Sequence, residues 1–204
     1  MKTSQTIGLY RLIIAIVVVV AVTTQLVYGI QNSQVFSVLN FFSFFTIESN
    51  ILGAAVFTVA GWAAYQNRSI AKLAFLRGAS TLYMAITGIV YSLLLANADV
   101  QTPIPWVNAV LHYIFPVLIV ADWIIDPPKK TITFKKALKW LLFPVAYAAY
   151  SLIRGGYVHW YPYPFLNVDT LGYTTVAVNC VFVAVGGLAI LAAIVGLPKL
   201  TKKN

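Results

Sequence analysis

Six apolar runs, each long enough to cross a bilayer as a helix, are the feature of this sequence that most constrains its fold. A transmembrane helix needs about 20 apolar residues. The runs are joined by short segments rich in Pro, Gly and charged residues. They lie at about 7–30, 35–65, 71–96, 103–126, 134–153 and 169–197. We therefore expect an all-α fold: one membrane domain over residues 1–204, built as a six-helix bundle around a central polar-lined cavity.

Composition supports the membrane class and argues against several others. Only 9% of the residues are charged and 60% are hydrophobic, whereas soluble domains carry about 25% charged residues. The formal net charge of +9 could indicate a nucleic-acid partner, but the basic residues fall between apolar runs, where membrane topology explains them. The single cysteine, Cys180, excludes an intrachain disulfide. No Cys/His cluster predicts a metal site, and no cofactor is expected.

The distribution of Lys and Arg predicts the orientation. With six spans, one side carries nearly all the basic residues, and the other side carries only Arg154. By the positive-inside rule, both termini are then cytoplasmic. The brevity of the chain suggests a bacterial protein, and we therefore expect the inner membrane as its location. Lys2 and Arg11 are also compatible with a signal peptide, but the first apolar run is longer than a typical signal h-region. The basic residues of the cytoplasmic side are Lys2, Arg11, Arg68, Lys72, Arg77, Lys129, Lys130, Lys135, Lys136, Lys139, Lys199, Lys202 and Lys203.

Polar residues on three runs are predicted to share one depth. Thr46, His112 and Asn179 each lie roughly 14–17 Å below the outer surface at 1.5 Å per residue. Ser43 and Asn50 share the helical face of Thr46, and Asn108 shares that of His112. Such residues are expected to face the bundle interior, because lipid cannot satisfy their hydrogen bonds.

These residue types suggest nucleophilic catalysis. A hydroxyl becomes nucleophilic when a base within hydrogen-bond reach takes its proton, and histidine suits that role. Thr46 and His112 form the best such pair, and an amide of Asn50, Asn108 or Asn179 could orient the imidazole or stabilise an oxyanion. The same residues could instead have structural roles, since buried threonines commonly bond their own backbone. Glu48 lies about 200° around the helix from Thr46, so either a packing or a catalytic role is open to it.

Three short segments resemble a known family. The second run contains "FFTIESN", the fourth contains "NAVLHYIFPVLIVADW", and "YPYPFL" precedes the last run. In this order and spacing they resemble the androgen-induced protein family of six-span membrane proteins, which includes the androgen-dependent TFPI-regulating protein. The resemblance implies a threonine hydrolase that cleaves fatty acid esters of hydroxy fatty acids, with Thr46 and His112 as its catalytic pair. The flanking Glu48, Asn50 and Asn108 differ from the animal members.

The expected mechanism is acyl transfer to Thr46 from a lipid ester that enters from the membrane. Ser43, Tyr91, Arg154 and Tyr163 are candidates for substrate contacts or a lid. Two alternatives stay open: a transporter of ions, protons or small solutes, and a lipid-binding protein without catalysis. No nucleic-acid partner is expected.

Overall fold

The computed structural model describes residues 3–96 and 102–201, and this part of the chain contains helices and no strand. Some residues covered by the predictions above lie outside the described residues: Lys2, the segment 97–101, Lys202, Lys203 and the side chain of Lys199. The helices are α1 (Thr3–Asn32), α2 (Val38–Phe42), α3 (Phe45–Tyr65), α4 (Ala74–Val90), α5 (Pro105–Ala109), α6 (Phe115–Ile125), α7 (Phe134–Ala137), α8 (Leu142–Val158) and α9 (Val168–Thr201).

Five helical stretches are long and apolar enough to cross a membrane, as expected for an integral membrane protein. The predicted run at 134–153 is not among them, although 134–158 is helical as α7, a 3₁₀ segment and α8. Large apolar side chains such as Phe182 on α9 face outward, as a lipid-facing surface requires. The five stretches are Thr3–Asn32, Phe45–Tyr65, Ala71–Leu95, Pro105–Ile125 and Val168–Pro198.

The second predicted run is two helices rather than one. α2 ends at Phe42, and α3 begins after Phe44, whose backbone is extended at φ −81° and ψ 127°. The Tyr147 hydroxyl of α8 donates to the Ser43 carbonyl over 3.0 Å, so a carbonyl left without a helical partner by the break is still satisfied. Thr46 therefore lies in the first turn of α3, instead of about eleven residues into a continuous span.

Two π-helical turns interrupt the neighbouring helices. One covers Tyr91–Leu95 at the end of α4, and the other covers Val110–Ile114 between α5 and α6. The second turn ends two residues before Pro116, which has no N–H to donate to the fourth residue before it. A Cβ placed on Gly88 would lie 2.9 Å from Pro116 Cβ, so α4 and α6 approach closely here. One turn beyond Gly88, this approach brings Tyr91 beside His112.

A buried ionic cluster joins α1, α4 and α6. Arg11 donates to Asp122 over 2.8 Å and to Asp126 over 2.6 Å, and Arg77 donates to Asp122 over 2.8 Å. Arg11 is fully buried, and Arg77 and Asp122 are each 4% exposed. The two arginines, interpreted above only as topology signals, are thus tertiary contacts that hold three helices together.

Candidate functional site

Thr46 is buried and forms hydrogen bonds with Tyr163, which lies 117 residues later in the chain. Its backbone N–H donates to the Tyr163 hydroxyl over 3.2 Å, and the two hydroxyl oxygens lie 3.3 Å apart. The N–H is one of those that the first turn of a helix leaves without an intrahelical acceptor. Burial raises the pKa of the Tyr163 phenol above its usual range, so this hydroxyl is a neutral hydrogen-bond donor.

His112 lies in the π-helical turn 110–114 and is 3% exposed. Its Nδ1 lies 3.3 Å from the Asn108 carbonyl, which can only accept, so Nδ1 carries the proton of the neutral ring. This arrangement leaves Nε2 as the nitrogen that can accept a proton. Tyr91 stacks on the imidazole with ring centroids 3.8 Å apart.

Thr46 and His112 line one small cavity without bonding to each other. The cavity has a volume of about 20 Å³; its other polar lining residues are Gln25, Thr102 and Tyr163, and the rest of its lining is apolar. Thr46 Oγ1 is paired with Tyr163, and the His112 ring is paired with Asn108 and Tyr91. The two side chains proposed as nucleophile and base therefore border one small cavity.

A second cavity, of about 360 Å³, lies between α3, α4, α8 and α9. Its walls are mostly apolar, which differs from the polar lining expected of a central cavity. Polar groups enter it at Thr46, Thr87, Tyr147 and Tyr163. Thr46 and Tyr163 border both cavities, so they form the wall between an apolar chamber and the His112 pocket.

The three asparagines have separate positions. Asn50 Nδ2 donates to the Thr46 carbonyl over 2.8 Å and to the Leu111 carbonyl over 3.2 Å, which ties the first turn of α3 to the turn carrying His112. Asn108 contributes its backbone carbonyl to His112 rather than its side-chain amide. Asn179 donates to the Phe165 carbonyl over 2.9 Å and so anchors the segment carrying Tyr163.

Ser43 and Arg154 lie apart from the Thr46–His112 pocket. Ser43 Oγ contacts the Tyr150 hydroxyl at 2.8 Å and donates to its own helix at the Leu39 carbonyl. Arg154 donates to the Asn40 side chain over 2.6 Å, and its guanidinium lies 5.1 Å from the Trp160 ring centroid. These contacts join α8 to α2 and to the residue that follows α2, next to the break between α2 and α3.

Glu48 is half-buried in the first turn of α3. A carboxylate is favourable there, because the free N–H groups give a helix N-terminus partial positive charge. The favourable interaction with the helix N-terminus therefore accounts for Glu48 without any contact with Thr46.

Sequence reasoning missed Gln25 and Ser49 and gave Tyr147 no site role. Ser49 lies 2.9 Å from the Thr87 hydroxyl, and Tyr147 lines the large cavity. Gln25 is an amide within the apolar first run, and a polar group at such a position is the signal that could have identified it.

Comparisons with protein-family models, curated proteins and solved structures give no match for this chain.

Proposed function

We propose that this protein is an intramembrane hydrolase of lipid esters, with Thr46 as nucleophile and His112 as base. One observation carries the proposal: Thr46 lines both an apolar cavity of about 360 Å³ and a small cavity of mixed polar and apolar lining that contains His112. If an ester carbonyl binds at Thr46, its acyl chain would lie in the apolar chamber. His112, the base, would lie on the other side of Thr46, in the small cavity. The resemblance noted above favours fatty acid esters of hydroxy fatty acids as the substrate class.

The reaction has two halves. His112 Nε2 takes the Thr46 proton as the threonine oxygen bonds to the ester carbonyl carbon. The tetrahedral intermediate collapses, the bond to the alcohol breaks, and the alcohol leaves with the proton from His112. Water then bonds to the acyl carbon of the acyl-threonine and gives its proton to His112. The fatty acid leaves as the bond to Thr46 breaks and Thr46 recovers a proton.

One tyrosine hydroxyl, that of Tyr163, is placed to stabilise the oxyanion. Both Tyr147 and Tyr163 line the chamber that contains Thr46. The Tyr163 hydroxyl accepts the Thr46 backbone N–H over 3.2 Å and lies 3.3 Å from Thr46 Oγ1, whereas the Tyr147 hydroxyl donates to the Ser43 carbonyl. An oxyanion formed at Thr46 would therefore meet the Tyr163 phenol at the partially positive end of α3.

We further propose six spans around this site, with cytoplasmic termini and the bacterial inner membrane as location. Ser4 bonds Asn67, and Arg11 bonds Asp126, so the N-terminus lies with the loops that follow α3 and α6. Arg154 bonds Asn40, which lies before α3. The helical run 134–158 therefore joins opposite ends of the bundle, and at 1.5 Å per residue it extends about 37 Å, enough to span the hydrocarbon core.

Single cysteines in a Cys180→Ala background test this topology. Cysteines at Ser4 and Asn67 should be protected from an impermeant maleimide in intact cells, whereas one at His159 should react. Labelling of Ser4 and His159 from the same side would contradict the six-span arrangement.

The catalytic proposal is tested by labelling with a fluorophosphonate and by hydrolysis of long-chain fatty acyl esters. Thr46→Ala and His112→Ala should each abolish both reactions, and Thr46→Ser should retain part of them. Thr58→Ala is a matched control, because Thr58 is on the same helix and bonds its own backbone at Ala54. Full activity in Thr46→Ala or His112→Ala would refute the pairing.

Lipid binding without catalysis is the second candidate, favoured by one observation. Thr46 Oγ1 is hydrogen-bonded to Tyr163 rather than to His112. A copurifying lipid that is never turned over, with equal binding by Thr46→Ala, would support this function instead.

A further inference from the structure

The small cavity beside His112 has the size and lining of a binding site for one water molecule. A buried void needs about 10–15 Å³ and two to four polar partners to hold a water. This cavity measures about 20 Å³. Half of the residues that line it are polar and come from several separate parts of the fold: Gln25, Thr46, Thr102, His112 and Tyr163; the others are Phe36, Phe41, Phe44, Ile47 and Leu111.

The same lining separates this pocket from the chamber proposed for the acyl chain. Gln25 is 4% exposed and enters the small cavity from α1, and neither it nor His112 lines the 360 Å³ chamber. The Gln25 side chain therefore borders the small cavity and would not contact an acyl chain bound in the chamber.

We infer that this pocket binds a single water between Thr46 and His112, that the water carries protons between them and supplies the hydrolytic nucleophile, and that Gln25 is its positioning residue. The inference rests on the proposed hydrolase function. It accounts for a nucleophile and a base that line one pocket without bonding to each other.

The proton transfers balance in both halves of the reaction. In acylation the water accepts the Thr46 proton while it gives one of its own to His112 Nε2, and the return transfer protonates the leaving alkoxide. In deacylation the water oxygen bonds to the acyl carbon, His112 takes one water proton, and that proton passes to the Thr46 oxygen as its ester bond breaks. A further water then refills the pocket.

The test is Gln25→Met, which keeps most of the side-chain volume and removes the amide. With a p-nitrophenyl fatty acyl ester, kcat should fall about 10- to 100-fold, the scale of a misplaced reacting group. KM should be unchanged, because Gln25 does not line the substrate chamber. Gln31→Met is the matched control: Gln31 is an exposed residue on the same helix, and its variant should match the wild type.

Thr102→Val provides a second variant should Gln25→Met fold poorly, and it should also lower kcat without changing KM. Wild-type kcat in both variants would overturn the inference. A density map that resolves other buried waters supplies an arm independent of activity, since it should show one peak contacting Thr46 and His112, and its absence would overturn the water site. Should the wild type hydrolyse no ester, the proposed function fails, and that peak would still support the water site.

Discussion

The Tyr91 ring stacks on the His112 imidazole, with centroids 3.8 Å apart and planes inclined by 18°. Each residue lies in a π-helical turn, and the two turns are on adjacent helices. Single π-helical turns are frequent at functional sites because they redirect side chains. In this protein they bring the two rings face to face, and of the two residues His112 lines the small cavity.

We expect Tyr91 to act through its ring rather than its hydroxyl. Tyr91→Phe keeps the stacking surface and should retain near-wild-type ester hydrolysis. Tyr91→Leu removes the ring that holds the imidazole plane and should lower kcat about tenfold or more, as misplaced catalytic groups do. Steady-state kinetics on both variants check this, and equal rates for the two would show that stacking does not orient His112.

The Tyr163 hydroxyl is predicted to matter for rate more than for folding. Tyr163→Phe removes the hydroxyl beside Thr46 that is proposed to donate to the oxyanion, and it should lower kcat about 100-fold, the usual scale for a lost oxyanion donor. The ring contacts with Phe44 and Phe165 do not need the hydroxyl, so the variant should remain folded. Tyr161→Phe, two residues earlier, is the control and should hydrolyse esters like the wild type; comparable losses in both would contradict a specific role.

Two adjacent glycines provide a test of the acyl-chain chamber. Gly187 lines it, and a Cβ there would meet only Ile86 Cδ1, at 3.7 Å, whereas a Cβ on Gly186 would meet nothing within 4 Å. Gly187→Leu should fill part of the chamber and shift the preferred ester toward shorter acyl chains. Gly186→Leu adds the same side chain on the exposed face and should leave the chain-length profile unchanged. An unaltered profile in Gly187→Leu would place the acyl chain elsewhere.

The ionic cluster around Asp122 is predicted to hold the bundle together. Asp122→Asn leaves the buried Arg11 and Arg77 without their shared carboxylate, and loss of one partner from a buried ion pair costs about 3–5 kcal/mol. Thermal unfolding in detergent should therefore show a large drop in melting temperature. Asp169→Asn is the control, because Asp169 pairs with His159 at the exposed surface, and its melting temperature should stay near the wild-type value. A small shift for Asp122→Asn would show that the cluster adds little stability.

Several predictions from sequence depended on helical periodicity, and the α2–α3 break limits them. The depth of Thr46 was predicted from a uniform helix over 35–65, but the backbone is extended at Phe44 and α3 begins at Phe45, one residue before Thr46. The proximity of Thr46 and His112 to one pocket is seen in the structure. The Thr46–Tyr163 bond was not predicted, because nothing in a local pattern indicates which of twelve tyrosines meets a given threonine.

The face of α9 that lines the apolar chamber was likewise not predictable from the sequence. Gly187 faces the chamber, whereas its neighbour Gly186 faces outward. On a helix that is apolar on nearly every face, composition does not distinguish the packed face from the lipid face. The contacts with α4 and α8 decide it.

The sequence by itself determined that this chain is helical and suited to a membrane, because hydropathy and helix length are local properties that add up over about twenty residues. Only the tertiary structure decided which buried polar groups meet. Thr46 and Tyr163 are 117 residues apart, and Arg11 and Asp122 are 111 apart. Partners so distant in sequence are selected by how the helices pack, since a buried polar group must find its hydrogen bonds on whichever helix lies beside it.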